Sequence, residues 1–66
     1  MPLAKVIEVL AQGDTVEEAF ENALAEASAS VDSIQSVWAD DIEAKVENGS
    51  IQFYRITAKV TFTVNK

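Results

Sequence analysis

The sequence predicts an α+β protein, a β-α-β-β chain whose three-stranded antiparallel sheet wraps a single helix. Three observations carry that prediction: a β-branched run opens the chain, one capped amphipathic stretch follows, and two long extended segments meet at Asn48-Gly49. The 66 residues fit one domain, residues 1–66, because a chain this short buries only about 60% of its unfolded surface and cannot be divided further. Self-association is the expected source of the missing burial.

The first strand runs from Leu3 to Ala11, where Val6, Ile7 and Val9 are β-branched, and Gly13 closes it. Thr15-Val16-Glu17-Glu18 is a capping box: the Thr15 hydroxyl can accept from the Glu18 N–H while the Glu18 carboxylate reaches back. This predicts a helix from Thr15 to Ser30. Val16, Ala19, Phe20, Ala23, Leu24, Ala27 and Val31 recur at i, i+3, i+4, i+7 spacing as one buried stripe, with Glu17, Glu21, Asn22 and Glu26 off it. Glu17, Glu18 and Glu21 also suit the positive end of the helix macrodipole.

A second strand is expected from Ile34 to Val46 and a third from Ile51 to Val64, joined by Asn48-Gly49, residues that tolerate the positive φ of a type I′ turn. In the third, Tyr54, Ile56, Ala58, Val60, Phe62 and Val64 alternate with Arg55, Thr57, Lys59, Thr61 and Thr63, so the first set should cover the helix. That strand spans on the order of 45 Å, far more than one short helix covers. Counting back from the turn pairs Val46 with Ile51 and sets Asp41 opposite Ile56, where an unpaired carboxylate would be costly. A bulge near Asp40-Asp41 removes the conflict, placing Val37 and Ala39 on the core face before it and Ile42, Ala44 and Val46 after it. Trp38, Ile51 and Phe53 are then expected on the outer face, with Arg55 and Lys59 beside them.

Composition excludes more function classes than it selects. There is no Cys and no His, hence no disulfide, no thiolate nucleophile, no Cys-ligated zinc and no near-neutral general base. Most catalytic constellations are thereby ruled out. Eleven carboxylates against five basic residues give a net charge of −6, which opposes binding to nucleic acid or to anionic membranes. No window approaches the roughly 18 apolar residues of a membrane span, and the opening MPLAKVIEVL, with Lys5 and Glu8, reads as a strand rather than a signal peptide. A cytoplasmic location is the resulting expectation.

The order strand, capped helix, two long strands and tight turn, with Lys5-Val6-Ile7-Glu8-Val9, Glu17-Glu18-Ala19, Ala27-Ser28, Gly49 and Tyr54-Arg55, resembles the dodecin family from about Ala4 to Val64. The resemblance implies a dodecin-like protomer, twelve copies of which close into a hollow sphere of 23 symmetry. It also implies a non-enzymatic flavin binder, storing or shielding paired ligands at two-fold contacts. In flavin-binding members a Trp on the second strand stacks on the ring and a Gln on the third hydrogen-bonds its polar edge. Here Arg55 stands in the Gln place and Ser36 in the Trp place. Trp38 follows two residues later, on the same face but displaced by about 7 Å. The residues implied to contact a flavin, riboflavin or FMN, are therefore Trp38, Arg55, Gln52 and Ser36.

Tyr54-Arg55 also looks like the non-flavin branch of the family, so a dodecin-like shell with a structural or metal-ion-binding role is the alternative. The residues alone leave Trp38 open between a stacking platform and burial at a subunit contact. They leave Arg55 open between a ligand contact and a salt bridge to Asp40, Asp41 or Glu43. Asp40, Asp41, Glu43 and Glu47 carry oxygen ligands but lack the spacing of a calcium loop; they read as a solvated acidic surface, and no metal site is assigned.

Overall fold

The computed structural model describes residues 2–65. Its elements are β1 (Pro2–Gly13), α1 (Val16–Ser28), β2 (Ile34–Glu47) and β3 (Ser50–Asn65), the predicted order. The three strands form one antiparallel sheet in the order β1-β3-β2, so the last strand of the chain is the central one. No helix among the described residues is long and apolar enough to cross a membrane.

The helix starts as its cap dictates. Thr15 is extended, and its Oγ1 accepts from the Glu18 N–H at 3.0 Å. The Glu18 carboxylate reaches back one residue further than in the standard box and accepts from the Asp14 N–H at 3.0 Å. α1 ends at Ser28 with Ala29 as C-cap, and the Ser30 N–H still reaches the Ala27 carbonyl in a closing turn. At the other end of the cap, Gly13 is required by space: a Cβ there would lie 2.5 Å from the Ala19 nitrogen. The end of β1 and the first turn of α1 thus touch backbone to backbone.

The buried stripe of α1 is narrower than its pattern predicts. Ala19, Ala23 and Ala27, four residues apart, are buried, while Phe20 is half-buried and Leu24 is 43% exposed. The reason is geometric. Alanines let the helix settle closely onto Ala11, Ile56 and Ala58, and positions one residue on lie about 100° further around the helix, at its flank. Val9, Phe20, Val37 and Ala39 close the cluster from the sides. Ile56 and Val60 are the largest wholly buried side chains, each contributing roughly 1.5–3 kcal/mol of burial.

Pairing of β2 with β3 carries the expected bulge and more. Ala39 opposes Ala58 and Asp41 opposes Thr57, which leaves Asp40 as the extra residue. A second irregularity, not anticipated, falls on β3: Lys45 opposes Phe53 and Val46 opposes Ile51, leaving Gln52 unpaired, and a third leaves out Gln35. Directly opposed residues share a face. Ile51 therefore stands with Val46, Ala44 and Ile42 on the helix side, not with Trp38 and Phe53 as expected. One bulge alone could not keep both the Val46–Ile51 pair and the alternation of β3 in phase; the two irregularities compensate. Asn48 and Gly49 turn with φ of 53° and 76°, the two positive values of a type I′ turn.

Candidate functional site on the outer face of the sheet

On the face turned away from α1, the ladder sets polar side chains in rows across all three strands. In one row Glu8, Lys59 and Trp38 are neighbours. Lys59 Nζ lies 3.4 Å from the Glu8 carboxylate and 3.8 Å from that of the bulged Asp40. In another row Gln12 and Glu43 flank Arg55. Gln12 Oε1 accepts from Arg55 Nε at 3.1 Å and from Nη2 at 2.8 Å, and Glu43 Oε1 lies 3.8 Å from Nη1. The Arg55 guanidinium also sits 5.9 Å from the centre of the Phe53 ring on its own strand, within cation–π range.

Trp38 is 44% exposed on edge strand β2, its surroundings the exposed Val6 and Leu10 of β1 and the Lys59 ion pairs between. Ser36 shares its face, opposite Thr61. Arg55 is four residues from Lys59, the partner of Trp38, so their backbone positions lie about 13 Å apart along the sheet. Gln52 is farther still. It is the extra residue at the hairpin end, where its Nε2 donates to the Ser50 carbonyl at 3.2 Å. Within one protomer, then, Trp38 and Ser36 are together, Arg55 is on the same face but apart, and Gln52 belongs to the turn.

Of the ion pairs expected for Arg55, the one to Glu43 is present. Its stronger partner, Gln12, was not foreseen from sequence, and neither was Glu8 for Lys59. Both follow from the register of β1 on β3, fixed by contacts 43 and 51 residues apart in the chain and carried by no local motif. Among the described residues no group of three or more metal-ligating side chains converges. A separate open groove of about 440 Å³ lies where the free edge of β1 meets α1, lined by Glu8, Val9, Leu10, Ala11, Asn22 and Glu26. It contains none of the four candidate residues.

Comparison with known proteins supplies the relatives. The dodecin family model matches residues 3–65. Among solved structures, a variant of the dodecin from Thermus thermophilus superposes with a TM-score of 0.89 at 18% identity, covering 100% of both chains. Dodecins from Streptomyces davaonensis (TM-score 0.87, 18% identity, 98% of this chain and 97% of that one) and Streptomyces coelicolor (0.88, 21%, 98% and 94%) are similar in fold. A comparison with curated proteins finds no significant match.

Proposed function

The chain belongs to the dodecin family, and from that premise we propose that it is a non-enzymatic, cytoplasmic storage protein for riboflavin-like flavins. Its protomers assemble as a hollow homododecamer, with ligand stacked at two-fold subunit contacts. The observation that supports this reading best is Trp38, a large aromatic ring left 44% exposed on the open face of a sheet. Such a ring offers a planar ligand a stacking surface. Trp38 and Arg55 stand on the same face of the sheet, four ladder positions apart.

The donor set suits the polar edge of a flavin in part. Arg55 offers N–H groups to ring carbonyls but has no acceptor for the ring N–H. Glu43, 3.8 Å away, supplies an acceptor on the same face. Gln52 and Ser36 are the remaining polar contacts of this reading. When bound, the flavin supplies only an absorbing, redox-capable ring, and the role of the chain is to stack it, exclude water and shield it. Without His or Cys the chain has little with which to move protons.

Assembly is supported by the apolar residues that one protomer leaves uncovered, Leu10 at 69% and Val46 at 63% among them. Titration with riboflavin, lumichrome and FMN, following flavin fluorescence beside native mass spectrometry, tests the proposal. A twelve-subunit particle that quenches riboflavin, and a Trp38→Ala particle that does not, is the expected result. No quenching by any flavin at micromolar protein would overturn it in favour of a structural or ion-binding shell. Loss of the particle itself in Trp38→Ala would make Trp38 an interface residue.

A further inference from the structure

We propose that the free edge of β1 is a docking site for an extended, cationic peptide segment of a partner protein, which joins the three-stranded sheet as a further strand. None of the candidate flavin residues lines this site, and the inference does not depend on the flavin reading. Its basis is the direction of the backbone. The Thr63 N–H is given to the Ser33 carbonyl, on the β2 side of β3. Its ladder partner on β1, Ala4, therefore turns its own N–H and C=O away from β3, because opposed residues of an antiparallel ladder alternate between exchanging both bonds and exchanging neither. The register runs without interruption from Pro2 to Gly13, so Val6, Glu8, Leu10 and Gln12 repeat that orientation. The last of them is fixed by a contact: the Gln12 carbonyl accepts from Asn22 Nδ2 on α1 at 2.7 Å. Asn22 thus closes one end of the edge, and the backbone groups of Val6, Glu8 and Leu10 stay open over about 14 Å.

The two edges of the sheet differ in this respect. Pairing of β2 is interrupted at Gln35 and Asp40, and the strand carries Asp40, Asp41 and Glu43; bulges and charges of this kind blunt an edge against a further strand. β1 has no bulge, and the groove between it and α1 runs beside Glu8, Val9, Leu10 and Ala11. A strand laid there meets unpaired N–H and C=O groups on one side, as in recognition by strand addition, and the helix on the other. Charge selects the occupant. Asn22 and Glu26 form the helix wall of the groove, and among the described residues the Glu26 carboxylate has no cationic partner. A second copy paired edge to edge about a two-fold axis would bring the Glu8 and Glu26 carboxylates of both chains together, each chain carrying −6. A segment bearing Lys or Arg avoids that repulsion and gives Glu26 its partner.

The test uses the assembled protein and a synthetic peptide, acetylated Val-Lys-Val-Lys-Val amide. Its fully N-methylated form keeps the charge but has no backbone donors, and Val-Glu-Val-Glu-Val keeps the backbone but reverses the charge. Binding is read by calorimetry and by amide hydrogen exchange. The lysine peptide should bind and slow exchange of the Glu8 and Leu10 N–H groups, N-methylation should weaken it by roughly tenfold or more, and the glutamate peptide should not bind. Glu26→Lys should weaken the lysine peptide by about fivefold at low salt, with the difference fading as salt rises. Leu10→Pro removes an edge N–H without removing a ladder bond and should abolish binding. Equal affinity for the N-methylated or the glutamate peptide, or unchanged affinity in Glu26→Lys, overturns the proposal. Failure of the lysine peptide to bind also overturns it: in favour of a second copy where Glu8 and Leu10 are already protected in the free particle, and in favour of an unused edge where they exchange freely. If Leu10→Pro does not fold, Glu26→Lys, at an exposed position of α1, carries the comparison.

Discussion

The two ends of the β2–β3 hairpin present the same kind of residue to the same side of the sheet and meet opposite fates. At the helix end Ile56, Ala58 and Val60 are wholly buried, whereas at the turn end Val46 and Ile51 are 63 and 55% exposed. The difference is one of reach. A helix of 13 residues is about 20 Å long, and the molecule is 52 Å along its major axis. Alternation assigns a residue to a face; burial depends on whether anything covers that face. One half of the sheet is therefore covered within the protomer and the other half is not.

This contrast can be broken most directly at its buried end. Ile56→Ala should destabilise the subunit by about 2–5 kcal/mol, through lost burial and a cavity beneath α1, as a fall in the denaturation midpoint. A loss below 1 kcal/mol would mean that the helix does not seal this half. Next in size is the seam between β1 and α1. Gly13→Ala forces a methyl group to 2.5 Å from the Ala19 nitrogen, which should cost roughly 1–3 kcal/mol of overpacking. An unchanged midpoint would show that the helix can lift away. The smallest effect on subunit stability is expected at the open end. Ile51→Asp, at a position 55% exposed, should change the stability of an isolated subunit by no more than about 0.5 kcal/mol and yet shift the assembly toward smaller species by native mass spectrometry. Intact twelve-subunit particles at the same concentration would mean that the turn end is not an assembly surface.

Local chemistry is readable wherever a few neighbouring residues decide the outcome. Thr15 and Glu18 place the start of α1, Asn48-Gly49 fixes the turn, and the awkward Asp41 reveals the bulge at Asp40. Leu24 was misread because helical periodicity marks a stripe but does not tell which residues touch when alanines let the helix sink. Ile51 was misread because the extra residue at Gln52 has no signature of its own; it appears only when both strands are laid side by side. In the candidate site, the face shared by Trp38, Ser36 and Arg55 was legible from strand parity. Gln12 was not, since its meeting with Arg55 depends on the register of β1 against β3.

By itself the sequence determined the element order, the capped start of the helix, the hairpin, the acidic charge and the absence of thiol and imidazole chemistry. These depend on composition or on contacts within a few residues. Tertiary structure alone decided that β3 lies in the middle, that alanines rather than Leu24 seat the helix, and that Gln12 and Glu43 hold Arg55 between them. Those outcomes arise from pairings between separate elements, across 43 residues of chain for Gln12 and Arg55, where the energy of one register over another is a sum over whole strands, and no short stretch of sequence contains it.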